Sequence, residues 1–136
     1  MNFNSVLIGS ENPEKLREYY TKLFGKPMFE MGGYVGWQIG SGFLTIGPHD
    51  QVKGQNKEPG RVLLNFETPD VKAEFEKLRK AGATVVKEPY SMSDEQSGTE
   101  GWITTFADPD NNYFQLMTPM PAPESGERED AAASAS

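Results

Sequence analysis

A chain of 136 residues with 36% hydrophobic and 11% aromatic content fits one folded domain with a real core, and not a disordered segment. A formal charge of −7 with no cationic stripe argues against a nucleic-acid partner, and the absence of cysteine excludes disulfides, thiolate nucleophiles and Cys-based metal sites. No apolar run approaches the roughly 20 residues that span a bilayer, and the first residues do not form a charged-then-apolar leader, so no membrane partner and a cytoplasmic location are expected.

Taken in chain order, residues 3–9 read as a strand built around Val6, Leu7 and Ile8. A helix follows, with Asn12 as its cap and Pro13 at its first position. Leu16, Tyr19, Tyr20, Leu23 and Phe24 then recur at helical spacing on one face, and Gly25 stops the helix. Residues 27–31, 34–39 and 43–46 read as three short strands, separated by Gly32-Gly33 and Gly40-Ser41-Gly42. Residues 49–60 are polar and rich in turn formers, and read as a linker.

The order then repeats. Residues 61–66 form a strand, and Thr68-Pro69-Asp70 opens a helix with Thr68 as its expected cap. Val71, Phe75 and Leu78 share one helical face, and Gly82 ends the element. Residues 84–87, 101–107 and 112–118 are three further strands. Pro13 and Pro69 lie 56 residues apart, as do Ser5 and Arg61, and Gly25 and Gly82 lie 57 apart. Three markers within one residue of the same offset predict an internal duplication, with modules over residues 3–48 and 61–118. The expected fold is α+β: two βαβββ modules forming a curved eight-stranded cup with the helices outside and a cavity within. The polar insert at 89–100 reads as a surface loop or a lid over the cavity. Residues 119–136 read as an acidic, Ala/Ser-rich disordered tail.

The paired βαβββ units, the helix end Tyr19-Tyr20-Thr21-Lys22-Leu23-Phe24-Gly25, and Asp108-Pro109-Asp110-Asn111-Asn112 before the last strand resemble the vicinal oxygen chelate superfamily. That group includes glyoxalase I, bleomycin-resistance proteins, fosfomycin-resistance enzymes and extradiol dioxygenases. The resemblance covers residues 3–118 and implies one glyoxalase/bleomycin-resistance-like domain. In the enzymes of the family a metal sits in the cup on His, Gln or Glu from the first and last strand of each half. Carried over, those positions fall on Ser5, Thr45, Arg61 and Gln115. None of the four is an imidazole or a carboxylate, the donors that first-row divalent metals favour, and a fixed guanidinium repels a dication. The chain holds one histidine, His49, so two imidazoles cannot come from one subunit.

The expectation is therefore a protein with no metal and no cofactor, binding a small, partly aromatic organic molecule in the cup, similar to the antibiotic-sequestering proteins. Arg61 and Gln115 would orient the ligand through charge and hydrogen bonding, with Thr45 and Ser5 as weaker polar contacts. Trp102, Trp37, Phe43, Tyr113 and Met117 are candidate wall residues, each with core packing as its alternative. Arg61 has a surface ion pair as its alternative, and Gln115 a hydrogen bond to a neighbouring strand. The competing reading is a metal-dependent lyase, isomerase or dioxygenase of the same superfamily, drawing its ligands from His49, Glu30, Glu67 or a partner subunit. His49 is also a candidate general base. The resemblance also implies a homodimer.

Overall fold

A computed structural model describes residues 1–92 and 101–119. The expected C-terminal tail from residue 120 on and residues 93–100 of the expected lid lie outside the described residues.

The first half runs β1 (Val6–Ser10), α1 (Pro13–Phe24), β2 (Phe29–Met31), β3 (Tyr34–Ile39) and β4 (Gly42–Pro48). The second runs β5 (Leu63–Glu67), α2 (Val71–Lys80), β6 (Thr84–Ser91), β7 (Trp102–Ala107) and β8 (Tyr113–Met117). Each half is a four-stranded sheet, ordered β1-β4-β3-β2 and β5-β8-β7-β6. The first strand of each half pairs in parallel with the last, β1 with β4 and β5 with β8. The duplication read from the proline and glycine spacing is thus present in the topology. The eight strands form two sheets and not one continuous hydrogen-bonded sheet.

Local chemistry sets the element ends. Pro13 occupies the first turn of α1, where its missing N–H costs nothing. Asn12 is the cap residue but its side chain makes no capping bond; the Ser10 hydroxyl accepts from the Asn12 N–H at 3.0 Å. For α2 the cap is Asp70 and not Thr68, because the Asp70 carboxylate accepts from the Ala73 N–H at 3.1 Å. Thr68 and Pro69 stand outside the helix. The second-half strand begins at Leu63, two residues later than the apolar run suggested, and β6 extends to Ser91, into what reads as a loop.

The apolar faces of both helices are buried as their spacing requires. Leu16, Tyr20 and Leu23 of α1 join Val35, Trp37, Leu44 and Ile46. Val71, Phe75 and Leu78 of α2 join Phe106, Phe114 and Leu116, and all of these residues form one cluster. Aromatic rings carry that cluster across the two halves. The Tyr20 ring lies 6.0 Å from Phe114, and Phe24 lies 5.2 Å from Phe66, within the range where ring pairs add to simple area burial.

The halves are also fastened by polar contacts at the β7–β8 turn. Asp108 is 5% exposed and accepts from the Tyr20 hydroxyl at 2.7 Å. Its other carboxylate oxygen accepts from the backbone N–H groups of Asp110 and Asn112, both at 2.9 Å. The Ser10 hydroxyl donates to Asp110 at 2.5 Å, and the Tyr19 hydroxyl donates to the Ala107 carbonyl at 3.0 Å. Asn111 takes a left-handed φ of 65°, which Asn tolerates better than most residues. The DPDNN run is therefore a turn closed by its own first carboxylate. The segment at 49–60, which reads as a plain linker, docks on it: Asn56 donates to Asn112 at 3.0 Å and Gln55 to the Pro109 carbonyl at 2.7 Å.

Burial raises the Asp108 carboxyl above the usual carboxylate range, while the donors from Asn112, Tyr20 and Asp110 oppose that rise. Burial, and secondarily the Asp108 charge, push the Tyr19 hydroxyl up to about 12. Burial first and Asp108 second also hold Tyr20 well above its ordinary value.

Replacing Tyr20 with Phe removes a buried hydrogen bond to a carboxylate and should cost about 1.5–3 kcal/mol, read as a lower midpoint in urea unfolding with an unchanged slope. The raised tyrosine values also fix a sign at alkaline pH. A folded value above the unfolded one contributes stability that is complete below pH 10 and is lost as pH climbs through about 12. The melting temperature should therefore fall across that window, and Tyr19→Phe should make the fall shallower in a thermal melt series.

Candidate functional site

In β4 the buried residues Leu44 and Ile46 turn toward α1, so Phe43 and Thr45 turn to the helix-free face. Register carries the same face onto β1 at Leu7, with Ser5 just before the strand, and onto β3 at Tyr34, Gly36 and Gln38. In the second sheet Phe114 and Leu116 turn to the core, so Tyr113, Gln115 and Met117 share the opposite face with Leu63, Asn65 and Glu67.

Two glycines shape the first of these faces. The rings of Phe29 and Phe43 stack at 5.9 Å with a 26° tilt, directly over Gly36. A Cβ there would sit 2.5 Å from Phe29 and 2.8 Å from Phe43, so only glycine lets the rings lie on the sheet. Gly47 does the same for the Tyr34 ring, which a Cβ would strike. Tyr34 lies flat and donates its hydroxyl to the Pro48 carbonyl at 3.3 Å.

A cleft of about 690 Å³ opens where the start of β1 and the β3–β4 turn face β5. That volume lies within the usual range for small-molecule sites, about 300–1,000 Å³. Its apolar wall includes Phe3, Phe43, Leu63 and Phe66, and its polar groups include Asn4, Ser5, Asn65 and Glu67.

Of the sequence candidates, Ser5 and Phe43 line this cleft. Thr45, Gln115, Tyr113 and Met117 lie on the helix-free faces but not in its lining. Gln115 donates to the Thr105 hydroxyl at 3.0 Å, so its amide is held by a neighbouring strand. Three candidates are corrected. Trp37 is 2% exposed, faces α1 and donates to the Gly25 carbonyl at 2.8 Å. Trp102 packs against the core with the Lys72 ammonium of α2 at 3.8 Å from its ring, which puts it on the helix side of its sheet. Arg61 precedes β5 and is paired in two contacts with Glu58, at a shallow surface dip with Asn56 and Lys57. Its side chain is 72% exposed, so the guanidinium belongs to the surface and not to the cleft.

His49 is exposed, accepts from the Gln51 N–H at 3.2 Å and packs its Cβ over Gly9. It takes no part in the cleft. Glu30 is paired with Arg17 on the surface. Among the described residues no three His, Asp or Glu side chains come together as a metal would require. β5 begins at Leu63, so Arg61 stands two residues before its strand, and Ser5, Thr45 and Gln115 are the other positions carried over from the family. Two hydroxyls, one amide and a guanidinium paired with Glu58 bring no imidazole and no carboxylate, so together they do not make the donor set a first-row divalent ion favours.

The sequence reading missed Leu63 and Asn65, and named Glu67 only as a metal ligand of the competing reading. The signal was the alternation in Leu63-Leu64-Asn65-Phe66-Glu67, which puts two polar side chains on the face opposite Leu64 and Phe66. Starting the strand at Arg61 drew attention to a residue the strand does not contain.

The glyoxalase-like domain family model matches residues 5–117. A search of curated proteins found no match. Solved structures share the fold at low identity. A glyoxalase/bleomycin resistance protein from Albidiferax ferrireducens T118 is 19% identical, with 86% of this chain and 98% of that one covered and a TM-score of 0.66. A glyoxalase/bleomycin resistance protein/dioxygenase family enzyme from Burkholderia phytofirmans PsJN is also 19% identical, with the same coverage and a TM-score of 0.65. A glyoxalase-related enzyme from Fulvimarina pelagi is 18% identical over 89% of this chain and 93% of that one, with a TM-score of 0.66. With the family model spanning both βαβββ halves, the chain belongs to the glyoxalase-like domain family of the vicinal oxygen chelate superfamily.

Proposed function

We propose that this protein binds a small, partly aromatic organic molecule in the cleft at the start of β1, and does so without a metal ion. The observation that carries this reading is the cleft's composition: aromatic and aliphatic side chains with a few polar groups, Ser5, Asn65 and Glu67 among them, which is how small-molecule sites are commonly built. Affinity comes from burying the ligand against Phe43, Phe3 and Leu63, and the polar side chains orient it. The donor set at the family's metal positions supports the metal-free part of the reading. A second copy of the chain is part of the same proposal, supported by exposed apolar side chains on the helix-free face of the first sheet, Leu7 at 50% and Met31 at 74%.

Protein stripped with a chelator should bind 2-naphthylmethanol in calorimetry with the same affinity as untreated protein, and added Zn²⁺, Ni²⁺ or Mn²⁺ should leave that affinity unchanged. Stoichiometric metal in the purified protein, with ligand binding lost on stripping, would favour the metal-dependent enzyme instead. Phe43→Ala should weaken the probe about tenfold, equivalent to roughly 1.4 kcal/mol, while keeping a cooperative melt. Light scattering across the micromolar range should report the mass of two chains; a single-chain mass at every concentration removes the dimer.

A further inference from the structure

We propose that the ligand of the cleft is a cation: an ammonium or guanidinium group carried on an apolar or aromatic body. The inference rests on the reading of the cleft as an organic-ligand site and adds the charge of its occupant.

None of the residues lining the cleft is Lys, Arg or His, and one is a carboxylate, Glu67. Several acids of the described surface are neutralised by a neighbouring cation: Glu30 by Arg17, Glu58 by Arg61, Glu74 by Lys77, and Glu76 by Arg79. Glu67 has no ion pair or side-chain hydrogen bond among the described residues. It closes β5 on the face it shares with Asn65, and both point where the cleft opens. The side chains of Asn4, Ser5, Ser41 and Asn65 carry oxygens that accept from an N–H donor. Phe3 and Phe43 add aromatic faces, which attract a cation through the ring quadrupole. The net charge of −7 points the same way at longer range.

An anionic ligand finds hydrogen-bond donors in the same amides and hydroxyls but no cation in the lining to answer its charge. Arg61, the residue that suggested one from the sequence, is held by Glu58 outside the lining. Glu67 is solvent-exposed, so the preference it confers is a matter of several-fold and falls with salt.

Three probes of one shape test this by calorimetry at pH 7 and low ionic strength: 2-naphthylmethylamine, 2-naphthylmethanol and 2-naphthoate. The ammonium should bind about three- to tenfold more tightly than the alcohol, and the carboxylate more weakly than either. Glu67→Gln should bring the ammonium-to-alcohol ratio to about one, whereas Glu76→Gln, on α2 and outside the cleft, should leave it as it is. Equal binding of the three probes, tighter binding of the carboxylate, or a ratio that survives Glu67→Gln overturns the assignment of charge while leaving the cleft an organic-ligand site. Failure of all three probes to bind overturns the cleft itself as that site, and the assignment of charge with it.

Discussion

One buried carboxylate organises this molecule. Asp108 is nearly inaccessible and, among the described residues, has no cation paired with it, so hydrogen bonds answer its charge there. Two backbone N–H groups of its own turn meet one oxygen, and the Tyr20 hydroxyl of α1 and the Asn112 amide meet the other. Taking a carboxylate out of water is costly unless its lone pairs are filled. Here they are filled only when α1 of the first half lies against the β7–β8 turn of the second. The packing of Tyr20 against Phe114, and of Phe24 against Phe66, follows from that placement.

The duplicated halves make the corresponding place in the first module informative. The β3–β4 turn is the counterpart of the β7–β8 turn, since each joins the third and fourth strands of its sheet. It reads Gly40-Ser41-Gly42 where the other reads Asp108 to Asn112, and it offers no carboxylate to gather donors. At the end of β1, Ser10 is tied to Asp110 of the β7–β8 turn. At the start of β1 the β3–β4 turn and β5 stand apart, and the cleft occupies the gap. The asymmetry of two turns in an otherwise repeated topology is thus what separates a closed seam from an open one.

Beyond that opening the helix-free face of the first sheet is built flat. Gly36 and Gly47 give up side chains so that Phe29, Phe43 and Tyr34 lie across the strands. Glycine weakens a strand by removing cross-strand packing, and the rings laid over it restore apolar cover. Phe43 serves both roles, stacking on Phe29 over the sheet and reaching the cleft wall.

Much of the architecture was legible in order along the chain. Helical spacing fixed the buried faces Leu16/Tyr20/Leu23 and Val71/Phe75/Leu78, and the repeated Pro and Gly markers disclosed the duplication, because these depend on neighbours a few residues away. The DPDNN run and the helix-end pattern identified the superfamily for the same reason. What the tertiary structure decided was which side of each strand a residue faces and what meets it there. Trp37 and Trp102 turned to the helices, and Arg61 was spent on Glu58 before its strand began. Side chains in a strand alternate with a period of two, so β5 carries Leu63, Asn65 and Glu67 on one face, and its later start takes Arg61 out of the pleat. The sequence therefore determined the elements and their repeat, which are local. The cleft is set by contacts between residues as distant as Ser10 and Asp110, and only the folded chain assembles it.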